Sequence, residues 1–306
     1  MKFDQAIVAM KTGGAVALVI EATMPNGVVG TGAPSERGEL APLPIAAIGH
    51  EDGKWLIRQK EPVLELEIVN RITGPVEVVN VVGELKGSSS EWILLGAHLD
   101  SWDFATGTQD NGAGVVQVIA AAKELAKAGP LVRSIRFALW AGEEQGLNGS
   151  HAYAVAHEAE LATCVAVLNT DNGAGHVRGW KVEGRKDVKA ALAPIAKSLA
   201  PLGAATLDMT LTADTDHFSF VVFGVPALDL LVEMKEYDTI HHRIADTIDK
   251  VDAHDLASGA AVLAVTAYAL AATKDAFAPR LDHAAIVELL KDGGYDELVR
   301  FFGWWH

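Results

Sequence analysis

Histidine and carboxylate side chains cluster at four places in this chain, each just beyond an apolar run. The first is Gly96-Ala97-His98-Leu99-Asp100-Ser101, completed by Gln109-Asp110-Asn111-Gly112, after the run Trp92-Ile93-Leu94-Leu95. The others are Gly142-Glu143-Glu144-Gln145-Gly146, Asn169-Thr170-Asp171-Asn172 and Thr239-Ile240-His241-His242. Imidazole and carboxylate donors without thiolate suit Zn²⁺, with Mn²⁺ or Co²⁺ as substitutes. A carboxylate between two such ions can bridge them, and a metal pair clamps both nucleophile and substrate oxygen. The neighbours Glu143 and Glu144 point in different directions beyond a strand, so one can bind metal while the other handles a proton of water. Each fragment alone has an ordinary explanation: His-x-Asp as a structural bond, Glu-Glu as solvated surface, His-His as a loop. Their shared position after apolar runs is what joins them into one metallohydrolase site.

The elements that must carry these residues alternate. From about residue 76 the expected strands are 76–82, the run into His98, 135–140 into Glu143 and Glu144, 164–168 into Asp171, and 227–231. Helices are expected over 115–128, after Gly149-Ser150, over 187–200, and over a long C-terminal stretch followed by two shorter ones. This predicts an α/β fold with a mostly parallel central sheet and helices on both faces. Ligands in such sheets bind beyond the carboxyl ends of the strands, where all four clusters fall. Residues 1–75 read as a separate, small β-rich unit, with strands at 15–20, 45–48 and 63–69 and a Gly/Pro-rich loop at 24–42. Residues 76–306 are then the catalytic domain.

The 306 residues suffice for an α/β core plus that smaller unit. A formal charge of −15 argues against a nucleic-acid partner, since few basic groups are available to neutralise phosphates. The single cysteine, Cys164, lies in an apolar run and reads as a small core residue. The apolar stretch 256–273 is interrupted by Ser258, Gly259, Thr266 and Tyr268 and preceded by Asp252 and Asp255, so it reads as a buried helix rather than a membrane span. The first residues lack a signal-peptide pattern. The expected location is therefore cytoplasmic, or secreted or periplasmic if a signal has been removed.

In order and spacing, residues 92–252 resemble the di-zinc exopeptidase family of aminopeptidases, glutamate carboxypeptidase and carboxypeptidase Q. The motifs are Gly-Ala-His98-Leu-Asp100-Ser-Trp, Gln-Asp110-Asn-Gly-Ala-Gly, Ala-Gly-Glu143-Glu144-Gln-Gly-Leu-Asn-Gly-Ser, Asn-Thr-Asp171 and His242-Arg-Ile-Ala-Asp246-Thr. The short His98–Asp110 gap is most like the carboxypeptidase Q and glutamate carboxypeptidase branch, and the first unit resembles its protease-associated domain. The resemblance implies two zinc ions bridged by Asp110, one completed by His98 and Asp171, the other by Glu144 and His242. It implies Glu143 as general base, water between the metals as nucleophile, and Asp100 orienting His98. His242 stands four residues before Asp246, as the family ligand does before an acid. His241 then takes a position where relatives often carry a carbonyl-polarising Tyr. The segment Ala213-Asp214-Thr215-Asp216-His217-Phe218 is similar to one that lines the substrate pocket, so Asp216 and His217 are candidates to meet a peptide terminus.

The implied activity is hydrolysis of the terminal peptide bond of dipeptides or short peptides. Two alternatives are a glutaminyl-peptide cyclase-like acyltransferase, which related folds run with one working zinc, and an inactive receptor or binding homologue; the intact ligand set speaks against both. Members of the branch usually start with catalytic domain, whereas this sequence enters the accessory unit almost at once, so either an earlier stretch lies outside it or the chain is a compact variant. The terminal Phe301-Phe302-Gly303-Trp304-Trp305-His306 is a helix docking on the core or an aromatic contact in a homodimer.

Overall fold

The computed structural model describes residues 3–33, 40–71, 73–234 and 236–305. The first unit has helix α1 (Phe3–Thr12), strands β1 (Leu18–Glu21) and β2 (Ile45–Ile48), and helix α2 (His50–Ile57). The two strands pair in parallel, Leu18 opposite Ile45, and two helices accompany them where a β-rich unit was expected. Residues 34–39 of the Gly/Pro-rich loop lie outside the described residues.

The expected strand at 63–69 does not pair. Val63 and Val69 are 96% and 85% exposed, and the alternate face of Leu64, Leu66 and Ile68 meets no packed layer among the described residues. A period-two pattern specifies which face can be buried, but not that a partner is present to bury it.

The rest is built on a seven-stranded sheet in the order β3-β5-β4-β6-β9-β7-β8. The strands are β3 (Val81–Leu85), β4 (Trp92–His98), β5 (Ser134–Trp140), β6 (Cys164–Asn169), β7 (Val177–Lys181), β8 (Thr206–Asp208) and β9 (Ala227–Val232). The central run β5-β4-β6-β9 is parallel, while β3 and β7 join it antiparallel. Strand β3 starts five residues later than the expected 76–82 and runs on through Gly83 to Leu85. As an edge strand it leaves Val81 and Val82 exposed, so its limits follow hydrogen bonding to β5 and not side-chain burial.

All of β4 is buried, and its side chains divide between the two faces as strand geometry requires. Ile93, Leu95 and Ala97 face helices α3 (Ala113–Leu125) and α8 (Ala253–Ala271), meeting Val118, Leu125, Val262 and Leu263. Trp92 and Leu94 face the opposite core, with Tyr153 of α4 (Asn148–Ala156) and Phe218 and Phe220 of α6 (Phe218–Val221). Helix α5 (Lys186–Ser198) covers the β7–β8 side, and the short α7 (Tyr237–Ile240) follows β9. Helices α9 (His283–Gly293) and α10 (Asp296–Phe302) close the chain, with Leu290, Val299 and Trp304 in the second core.

The apolar stretch tested as a membrane span is α8, with Leu263 and Ala267 fully buried against the sheet and its start capped by Asp252, which accepts from the His254 and Asp255 amides. Cys164 is buried at the start of β6.

Candidate metal centre

Strands β4, β5 and β6 run side by side in the same direction, so their carboxyl ends deliver His98, the Glu143-Glu144 loop and Asp171 to one place. The loop after β9, through α7, brings His241 and His242 to the same end. His98 Nε2 lies 2.8 Å from Asp171 Oδ1 and 3.2 Å from Asp110 Oδ1. His242 Nε2 lies 3.3 Å from the other oxygen, Asp110 Oδ2, and 2.9 Å from Glu144 Oε2. Asp110 thus turns one oxygen to each imidazole. His241 Nε2 is 3.6 Å from Asp110 Oδ2, its ring stacked between those of His242 and Tyr237.

Hydrogen bonds to and from the backbone hold the segments that carry several of these side chains. Asp246 accepts the Gln109 and Asp110 amides at 2.7 and 3.0 Å, fixing the turn that carries Asp110. Asn111 donates to the Thr170 carbonyl and accepts the Gly114 amide, tying that turn to the end of β6. A Cβ at Gly114 would sit 2.3 Å from Asn111 Oδ1, which is why this close approach needs glycine. His98 Nδ1 donates to the Asp100 main-chain carbonyl at 3.0 Å, while the Asp100 carboxylate accepts the Glu143 and Glu144 amides at 3.2 and 3.3 Å. Asp100 therefore orients His98 through its carbonyl, and its side chain shapes the Glu143-Glu144 loop. Asn80 clamps the far side of that loop, donating to the Gly149 carbonyl and accepting the Ala141 amide.

His242 holds a left-handed conformation, φ +52°, uncommon for a residue with a Cβ. The first unit secures it: the Thr31 amide donates to the His242 carbonyl at 2.8 Å, and the Ile244 amide to that of Val29 at 3.2 Å. Arg243 Nη1 adds bonds to the Asp238 and His241 carbonyls.

The charges point to cations. Burial pushes Asp171 up to about 8, with Asp110 and Asp216 adding to it against the pull of His98. Burial also raises Glu143 well above the carboxylate range, helped by Asp171. Burial opposes the charged form of His242 too, but contacts with Asp110 and Glu144 outweigh it and hold the imidazole at about 9. Asp110 lies well below its ordinary value because His242 and His98 overcome its own desolvation. Both Glu144 oxygens are buried without a hydrogen-bond partner, although one is 2.9 Å from His242 Nε2. Close approach without hydrogen-bond alignment is what two donors facing a common ion show. Donor atoms of His98, Asp110 and Asp171 lie within 4.8 Å of one another, as do those of Asp110, His241 and His242. This oxygen and imidazole set fits divalent cations of the zinc type.

The centre opens into a cleft of about 550 Å³. Asp214 and Thr215 line it; Asp216 and His217 do not, being 1% and 0% exposed beneath it. His217 Nε2 is 3.2 Å from Glu183 Oε2, so its role here is to hold the segment from below. Sequence reasoning passed over Tyr237, Asn80, Gln109 and the anchoring carboxylate of Asp246. Only Asp246 had left a signal, its fixed distance from His242. The buried Tyr237 lines the cleft beside His241.

The model of peptidase family M28 matches residues 80–269. This chain belongs to that family. It is similar to mouse carboxypeptidase Q, 29% identical over 277 residues that make up 87% of this chain and 58% of that protein. It therefore spans little more than half the length of that relative. A peptidase M28 precursor from Shewanella amazonensis is 34% identical, with a TM-score of 0.82 over 91% of this chain and 65% of that one. A zinc aminopeptidase from Bacillus subtilis shares the fold, with a TM-score of 0.68 at 24% identity over 90% of this chain and 68% of that one. The mixed α/β architecture and the resemblance to metallopeptidases agree with the expectation from the motifs.

Proposed function

We propose that this chain is a di-zinc metallo-exopeptidase that hydrolyses the terminal peptide bond of dipeptides or short peptides. The observation that carries this is Asp110, whose two oxygens face two imidazoles on opposite sides, each backed by a further carboxylate. His98 and Asp171 complete one half of the site, and Glu144 and His242 the other. When bound, two zinc ions supply Lewis acidity toward the scissile carbonyl and toward water.

The chain's own residues do the rest. Glu143 lies at the cleft, next to Glu144 but turned to His98, with its Oε2 3.9 Å from His98 Nε2. It takes the proton from the attacking water and returns it to the leaving amine. His241, kept neutral by burial and by its neighbour His242, and the hydroxyl of Tyr237 face the cleft as hydrogen-bond donors to the carbonyl oxygen.

The test is zinc content together with cleavage of free and end-blocked dipeptides by the native chain and by Glu143→Gln. Two zinc ions per chain in both proteins, with turnover lower by roughly 10²- to 10⁴-fold in the variant, is the expected result. A single bound zinc, or metal-replete protein that cleaves no peptide, would overturn the reading.

A further inference from the structure

Two imidazoles carried by different elements meet one carboxylate at the surface, and none of the three residues lines the cleft. His176 immediately precedes β7, while His254 and Asp255 stand in the first turn of α8. His176 Nδ1 lies 3.1 Å and His254 Nδ1 3.6 Å from the same oxygen, Asp255 Oδ1. Donor atoms of Asp252, His254 and Asp255 all lie within 4.8 Å of one another. Asp252 caps the helix through Oδ1 alone, which accepts the His254 and Asp255 amides at 2.8 and 3.0 Å. The backbone of His176 is itself fixed, its carbonyl accepting the Glu233 amide at the end of β9.

A tetrahedral ion with bonds of about 2.0–2.1 Å sets its donors about 3.3 Å apart. The two imidazole distances to Asp255 fall on either side of that value. Only the shorter is a hydrogen bond, yet His254, 83% exposed, turns the same ring nitrogen toward the same oxygen. Among the described residues both ion pairs of Asp255 are with imidazoles, and no lysine or arginine pairs with it. Two nitrogen donors beside a carboxylate suit zinc, nickel or copper, whereas magnesium and calcium take oxygen. The donors stand on segments 79 residues apart, so only the folded chain brings them together. Those same segments grip the residue before Asp110: the Ala174 amide donates to Gln109 Oε1 at 2.6 Å, and Gln109 Nε2 donates to the Lys250 carbonyl at 2.7 Å.

We propose that His176, His254 and Asp255 form a further divalent-cation site, separate from the metal centre, that takes zinc, nickel or copper. The ion staples the start of β7 to the start of α8. Three donors from the chain leave a fourth place to Asp252 Oδ2 or to water.

The experiment strips the full chain of metal, titrates it with zinc, and counts bound equivalents by elemental analysis in the native chain, His176→Gln, His254→Ala and Asp255→Asn. Each variant should bind one equivalent fewer than the native chain. His254 is so exposed that its alanine variant leaves the fold unchanged, and that variant decides the result. Nickel and copper should displace the extra equivalent, while magnesium and calcium should not. Zinc added after the metal centre is filled should raise the melting temperature of the native chain by a few degrees and leave that of His254→Ala unmoved. Equal equivalents in the native chain and His254→Ala would overturn the site, as would displacement of the extra ion by calcium. The quantity read is a difference of one ion, whatever number the metal centre holds. A centre that takes a single zinc would therefore sink the di-zinc reading and leave this one standing.

Discussion

Asp100→Asn separates two jobs that one residue could do at this site. The carboxylate accepts the amides of Glu143 and Glu144 at 3.2 and 3.3 Å, whereas its Oδ1 is 3.8 Å from His98 Nδ1, beyond hydrogen-bond reach. The imidazole is held instead by the Asp100 carbonyl, which any substitution retains. Asparagine keeps one acceptor oxygen and turns an NH₂ toward the second amide. One charge-assisted bond is lost, about 1.5–3 kcal/mol in general. Both bonds are long and the side chain is 24% exposed, so the low end applies, about 1.5–2 kcal/mol. That is roughly 10- to 30-fold in rate if the displaced loop carries Glu143 away from its proton-transfer position. Zinc affinity should fall by less than about fivefold, because His98, Asp110 and Asp171 keep their supports. Asp100→Ala, losing both acceptors, should fall roughly 100-fold in kcat with the same zinc content. Dipeptide kinetics at saturating zinc, paired with zinc titration against a chelator of known affinity, reads both quantities. Loss of one zinc equivalent with unchanged turnover per filled site would refute this reasoning and give the carboxylate to His98.

Three further outcomes follow from other parts of the site. His241→Ala should lower kcat by about tenfold or more while both zinc ions remain, since His242 and Glu144 make the closer pair; loss of a zinc ion would make His241 a ligand. Thr31→Pro removes the amide that holds the His242 carbonyl, so one of the two zinc ions should dissociate more readily while Thr31→Ala binds as the native chain does; equal affinities in cobalt titrations would refute the link. His217 provides a pH signature. Burial opposes its charge, but Glu183 outweighs burial and lifts it to about 9. A raised folded-state value means stability present in full below the ordinary pKa near 6.5 and lost as pH climbs to about 9, on the order of 3 kcal/mol. Unfolding by urea across that range should show a steeper decline for the native chain than for His217→Gln, with Asp229 and Lys181 common to both; parallel declines would refute it.

The parallel centre was legible because β4 and β6 are buried on both faces and so appear as unbroken apolar runs ending in polar ligands. His98, the Glu143-Glu144 pair and Asp171 lie at or just past such runs, whereas Asp110 arrives on a turn that begins ten residues beyond β4 and His242 on the loop after α7. What the pattern could not show is anything fixed by hydrogen bonding alone. Strand β3 is an exposed edge, β8 is three residues long, and α2 carries Gly53 in its middle, so none has a clear burial period. The supports Asn80 and Asp246 are distant in sequence from the amides and carbonyl they hold, so no local rule links them to those groups. Asp216 and His217 lie beside residues that line the cleft, but sequence order alone does not say which of four neighbours turns inward.

The terminal aromatics illustrate the same limit from the other side. Phe302 and Trp304 looked like a generic docking or contact patch, because an apolar run at a chain end carries no information about what it covers. In the fold they cover the second core with one face and the cleft with the other, and this follows from Gly303, the one residue whose left-handed turn lets Trp304 return onto Val299. The same duality holds at the opposite end of the chain, where the first unit, through Val29 and Thr31, holds the His242 loop in its uncommon conformation. Segments outside the central sheet thus contribute to two separate parts of one site. The first unit bears on how firmly the second half of the donor set is held, and the α10 segment lines the cleft beside it. A change in the first unit should move metal affinity on its own, while His98 at the end of β4, Asp110 on its turn and Asp171 just after β6 keep their own supports.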